Sequence, residues 1–224
     1  MKTPEFNEAR LLGLFLNPDH YREQICEPFL SDGYVCATET HRLIMIKPTL
    51  CKGEYKPNKL HVLKTIPPNN IDITVTFAAL KRAIESISTE PEFVTIRPAV
   101  VCDECGGDGE VEWEYTDSDR RTHYLCYECP LCNGAGESIP AVTKPTGRRV
   151  PSDEAVIGIY EHSFRAPQIL KLCDAMQLLG LDKLRYIASN PNGGNVFELT
   201  DGISVVICNC ASSETKVWVS PKYQ

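Results

Sequence analysis

The sequence lacks any run of apolar residues near the ~18 needed to cross a bilayer. It opens MKTPEFNEARLLGLF, with acidic residues ahead of the apolar stretch and no small-residue cleavage site, so no secretory leader is read there. No Gly-rich phosphate loop and no alternating strand–helix rhythm marks a parallel nucleotide-binding sheet. No Cys/His pair with an orienting acid suggests an activated nucleophile. These absences argue against a membrane protein and against an enzyme. The expectation is a cytoplasmic, non-enzymatic protein. An even complement of cysteines is missing too: there are eleven. An odd count suits a disulfide framework poorly, whereas a reducing compartment leaves thiols free for metal.

What is present begins with a duplicated pattern, Cys-x-x-Cys-x-Gly-x-Gly. One copy runs CDECGGDG from Cys102 to Gly109 and the other CPLCNGAG from Cys129 to Gly136. Two such pairs supply four thiolates at the spacing of a tetrahedral structural zinc site. Cys102, Cys105, Cys129 and Cys132 are therefore the expected ligands of one Zn2+. Cys126 also stands two residues before Cys129 in CxxC spacing, leaving it as an alternative to Cys132. The glycines after each pair let backbone amides turn toward the sulfurs. A redox dithiol is the competing reading of any one pair. Zinc held by four thiolates has no open position for water, so the site is expected to be structural.

Charge sharpens this. Between Cys102 and Gly136 stand nine acidic and two basic side chains, so the whole formal excess of −7 falls there and the rest of the chain balances. Such a segment should be repelled by phosphate backbones. It reads as an insertion, and the boundaries expected are 1–101 for the first part of the body, 102–137 for the module, 138–154 for a Pro- and Thr-rich linker and 155–224 for the second part. Within the module, VEWEY at 111–115 and HYLCYE at 123–128 alternate as a hairpin, with its turn in TDSDRR.

Three helices are predicted around the module, at Glu5–Leu16, Phe77–Ser88 and Pro167–Leu179. Thr76 is the expected N-cap of the second and Gly180 the stop of the third. Strands are predicted in Gly33–Lys47 as a pair, at Phe93–Val101, Ala155–Tyr160, Leu184–Ala188, Asn195–Leu199 and Ile203–Asn209, and as an edge at Lys216–Ser220. Few helices among many antiparallel strands make the fold class α+β.

Two stretches resemble the bacterial sliding clamp, the β subunit of DNA polymerase III. Ala37-Thr38-Glu39-Thr40-His41-Arg42-Leu43 resembles the clamp's Ala-Thr-Asp-Gly-His-Arg-Leu turn, departing at the Asp and Gly positions. Phe164–Asn209 resembles its helix-plus-strands module, and Ile71–Ile87 is similar to the opening of another. The resemblance implies repeated helix-plus-sheet modules and a non-enzymatic factor in DNA replication or metabolism. It implies double-stranded DNA contacts from Lys81, Arg82, Arg165 and Lys171, and a peptide pocket bordered by Thr38, His41, Arg42 and Leu43, with Leu43 as apolar anchor. Fewer residues are available than in a three-domain clamp subunit, so a partial clamp, a homo-oligomer or a clamp-derived protein are all open. The cysteine module resembles the zinc-binding repeat of DnaJ-type chaperones, without their His-Pro-Asp signature. The alternative is a zinc-stapled adaptor that binds a protein through its acidic module and has no DNA role.

Overall fold

The computed structural model describes residues 6–18, 20–190, 193–210 and 217–219. The chain divides into a body, residues 1–89 and 151–224, and a second unit, Glu90–Val150. The first half of the body runs α1 (Glu8–Gly13), β1 (Phe29–Ser31), β2 (Tyr34–Thr38), β3 (Arg42–Ile46), β4 (Lys56–Pro57), β5 (Ile73–Thr76) and α2 (Phe77–Glu85). The second unit contributes β6 (Thr89–Arg97), β7 (Val100–Val101), β8 (Glu110–Thr116), β9 (Thr122–Glu128), β10 (Glu137–Ile139) and β11 (Val142–Pro151). The body resumes with β12 (Val156–Ile159), β13 (His162–Arg165), α3 (Ala166–Leu178), β14 (Lys183–Ala188), β15 (Gly194–Thr200), β16 (Ile203–Cys208) and β17 (Val217–Val219).

Eight strands form one sheet in the order β4-β1-β2-β3-β16-β15-β14-β5. Its central strands bury both faces along most of their length, so Leu43–Ile46 and Val205–Cys208 are continuous apolar runs rather than half-polar alternations. Ile44, Ile46, Val205 and Ile207 pack toward the main core with Leu80, Ile169, Leu172 and Met176 of the helices. Leu43, Met45 and Val206, one residue out of phase, pack on the opposite face with Ile25, Phe29 and Val62.

The helices start where local chemistry satisfies their free amides. Thr76 accepts from the Ala79 amide at 3.3 Å, and the Asn7 side chain accepts from that of Arg10 at 2.9 Å. The Asn7 cap sets α1 later and shorter than the predicted Glu5–Leu16, whose first residue lies outside those described. Gly180 ends α3 with φ +65°, the left-handed turn that a residue with a Cβ resists.

One topological relation organises the body. β5 leads into α2 and pairs antiparallel with β14, the strand that follows α3. β13 leads into α3 and pairs antiparallel with β12, the strand that resumes the body after α2. The two strand–helix units are thus exchanged reciprocally, and α2 packs on α3.

Two expectations are corrected. The segment 138–154 is not a free linker: most of it is β11, hydrogen-bonded to β6. Thr146 donates to Glu92 Oε2 at 2.6 Å and Arg148 lies 3.9 Å from the same carboxylate. Among the described residues β11 pairs with β6 alone, and proline within a strand is compatible with such an edge position. The single strand expected at Phe93–Val101 is broken at Pro98, after which β7 pairs with β10 instead. The second unit therefore begins and ends further out than 102 and 137.

Candidate functional site

The Sγ atoms of Cys102, Cys105, Cys129 and Cys132 lie within 4.8 Å of one another, and all four residues are buried. Cys102 and Cys129 are 3.8 Å apart at sulfur, as are Cys105 and Cys132. Thiolates about 2.3 Å from a central zinc ion form a tetrahedron whose edges are about 3.8 Å, so the donor set fits that ion in both chemistry and size. These four cysteines can hold a metal. Val111 packs against them as the nearest apolar neighbour. With so little apolar cover, the cluster needs a cross-link other than hydrophobic burial.

The two CxxCxGxG loops build the cluster reciprocally. The Cys102 amide donates to the Gly136 carbonyl at 2.9 Å, and the Cys129 amide to the Gly109 carbonyl at 2.7 Å. Gly109 N–H donates to Cys105 Sγ at 3.3 Å and Gly136 N–H to Cys132 Sγ at 3.2 Å. Both glycines have positive φ, and a Cβ on either would overlap a carbonyl of the opposite loop. Burial disfavours the Cys105 thiolate, but the amides of Gly107 and Gly109 outweigh it and bring that thiol down to about 7. Cys132 is pushed up to about 11, first by burial and then by the neighbouring sulfurs, which retain the next proton.

Cys126 does not join the cluster. It is exposed on β9, opposite Glu112 of β8. Strand geometry separates it from Cys129, whereas Cys132 sits in the loop that curls back on itself. The hairpin turn between β8 and β9 is organised by Asp117, whose Oδ1 accepts from the amides of Asp119 and Arg121, each at 2.9 Å.

In the body, a cavity of about 420 Å3 is bordered by Glu39, His41 and Arg42 from the β2–β3 turn, Asp153, Arg165 and Gln168 beside α3, and Cys208 and Cys210 at the end of β16. The Cys208 amide donates to the His41 carbonyl at 2.9 Å, which draws these distant segments together. Arg42 Nε pairs with Glu39 Oε1 at 2.9 Å, and Arg165 donates to the Asp153 carbonyl at 2.9 Å. Thr40 occupies the turn at φ +86°, a conformation that a β-branched residue seldom adopts, and its hydroxyl lies 3.2 Å from His41 Nδ1. Of the residues expected to border a pocket, His41 and Arg42 line this cavity. Thr38 donates its hydroxyl to the Arg42 carbonyl at 2.6 Å and shapes the turn. Leu43 is buried on the far face of the sheet and does not line the cavity, because consecutive strand residues face opposite ways. Arg165, expected among DNA contacts, borders the cavity. Asp153, Cys208 and Cys210 carried no sequence signal for it: the pairing of β3 with β16 brings Cys208 beside His41, and the Cys210 amide, which donates to the Ser163 carbonyl at 2.8 Å, joins the β13–α3 segment to them.

The remaining basic candidates lie on the helices. Lys81 is exposed and 3.7 Å from Glu85, and Lys171 is half-buried and 4.0 Å from Asp174. Arg82 is exposed in the same turn of α2 as Lys81. The helix cations are thus interleaved with carboxylates.

No protein-family model and no curated protein sequence matches the chain. Among solved structures, it is similar to the sliding clamp (DNA polymerase III subunit beta) of Bartonella birtlesii, at 10% identity and TM-score 0.44, over 91% of this chain and 64% of that one. It is similar to the Caulobacter crescentus pol III beta, at 10% identity and TM-score 0.43, over 95% and 68%. The Bacillus subtilis DNA polymerase sliding clamp matches at 10% identity and TM-score 0.42, over 95% and 67%. The chain spans between 53% and 68% of the length of eight such clamp chains. No helix among the described residues is long and apolar enough to cross a membrane.

Proposed function

We propose that the chain is a non-enzymatic, clamp-like factor of DNA metabolism whose body contacts double-stranded DNA and short peptides of replication proteins, and whose second unit is stapled by one structural zinc ion. The observation that carries this reading is the reciprocal exchange of strand–helix–strand units, β5–α2 with β14 and β13–α3 with β12. Such an exchange sets two helices side by side against sheet, the arrangement a clamp module uses. Lys81, Arg82 and Lys171 supply phosphate contacts on that helix layer, and the cavity beside His41, Arg42 and Arg165 receives the peptide. Zinc held by Cys102, Cys105, Cys129 and Cys132 serves the fold, since a closed thiolate set leaves no position for a reacting water. Self-association completes a binding surface larger than one chain provides.

The test is retention of duplex DNA by the intact protein across about 50 to 200 mM salt. Affinity should fall steeply with salt and drop further in Lys81→Glu/Arg82→Glu. Binding that ignores salt, or no binding at low salt, refutes the DNA contact.

A second reading is favoured by the ion pairs Lys81–Glu85 and Lys171–Asp174, which leave the helices little net positive charge. On that reading the protein is a zinc-stapled adaptor whose acidic module contacts another protein, with no DNA role.

A further inference from the structure

The β8–β9 ribbon sorts its side chains by register. Val111, Trp113 and Tyr115 stand opposite Tyr127, Leu125 and His123, so these six share one face. Glu110, Glu112 and Glu114 stand opposite Glu128, Cys126 and Tyr124 on the other. Trp113 is 55% exposed, Tyr115 64%, Leu125 54% and Tyr127 57%, although such side chains normally contribute burial. None of the three β8 glutamates is in an ion pair among the described residues. β8 is hydrogen-bonded to β9 alone, so its outer edge is open among the described residues.

We propose that this open edge of β8 takes up a third strand from a basic protein segment in which Lys or Arg alternates with apolar residues. The inference rests on the reading of the module as a protein-contact element. Aromatic and acidic groups lie on opposite faces of the ribbon, so a partner lying on one face cannot meet both. A strand added at the edge meets both, because its side chains alternate between the same two faces. Residues beside Val111, Trp113 and Tyr115 then gain apolar contact, and those beside Glu110, Glu112 and Glu114 gain opposite charge. The open edge of β9 offers Thr122, Tyr124, Cys126 and Glu128 on its acidic face, a single carboxylate, which selects β8. A second copy is disfavoured, since edge-to-edge pairing of two β8 strands sets glutamate against glutamate. A two-stranded ribbon is itself marginal, and a third strand adds the support it lacks.

The test uses the full-length, zinc-loaded protein and two labelled heptapeptides of one composition. In one, four lysines alternate with valine and tyrosine; in the other, the lysines are grouped at one end. The alternating peptide should bind at least tenfold more tightly, weaken with salt, and slow hydrogen exchange at the outward-facing amides of β8. Glu112→Lys should weaken it at least tenfold and Glu128→Lys distinctly less, both with unchanged zinc stoichiometry. Equal affinity for the two peptides, or equal loss in the two variants, overturns edge addition while leaving a charge-driven protein contact on the module. Failure of the alternating peptide to bind also overturns it. Binding untouched by Glu112→Lys lies off the module and overturns the protein-contact reading as well.

Discussion

The carbonyl of Gly136 accepts the amide of Cys102 at 2.9 Å, tying the loop of one cysteine pair to the first thiol of the other. Each CxxCxGxG loop thereby orients the other's sulfurs, so the cysteine cluster and its backbone frame are one unit.

Substitution of Gly136 by Ala should disturb that frame. The residue sits at φ +73°, and the added Cβ would overlap the Gly107 carbonyl. Groups that support metal ligands typically contribute about 10- to 100-fold in affinity. Zinc competition against a chromophoric chelator should show Gly136→Ala at least tenfold weaker than the parent. In the same assay Cys132→Ser should lose stoichiometric zinc, whereas Cys126→Ser should keep one zinc per chain.

Thr40 carries a conformational cost in the β2–β3 turn. At φ +86° it occupies backbone space suited to glycine. Its side-chain contact with His41 is solvent-exposed and offsets little of this. Relief of strain outweighs the extra freedom glycine brings to the unfolded chain, so Thr40→Gly should stabilise the body by about 0.5–1 kcal/mol. Urea denaturation would reveal it as a higher midpoint at unchanged slope. A lower midpoint would mean that the threonine contributes more than its backbone costs.

His162 makes the body sensitive to acid. Burial holds its imidazole below the ordinary value, against a smaller upward pull from Glu161, and its Nε2 is hydrogen-bonded to Ser189 Oγ. The unfolded chain therefore takes up the proton more readily than the folded one. The resulting stability is fully present above about pH 6.5 and is lost as pH falls through and below that value. Denaturation midpoints measured between pH 7.5 and 5 should decline, and His162→Gln, which keeps a polar partner for Ser189, should flatten the slope. Since both proteins carry the same cysteine cluster, the difference between their slopes isolates the histidine. Parallel slopes would refute this assignment.

The parts legible in the sequence are those that local chemistry determines. Cys102, Cys105, Cys129 and Cys132 could be named because ligand spacing and the glycines after each pair are short-range constraints on one loop. Thr76 and Gly180 marked the ends of α2 and α3 because capping involves residues within a few positions. The hairpin at 111–128 followed from alternation, and the concentration of negative charge in the module from counting. Tertiary structure decided the rest. Leu43, an expected pocket anchor, turned to the far face of the sheet because both faces of β3 are buried and composition alone does not say which face borders a cavity. Arg165 met His41 because β16 pairs with β3 and the Cys210 amide beyond β16 bonds to Ser163 of β13. The Pro-rich segment 142–151 became a strand because β6 offered it a partner, and pairing across fifty residues leaves no local trace. The exclusion of Cys126 was likewise decided by β8, whose register holds that thiol on an exposed strand, away from the four sulfurs its spacing would have let it join.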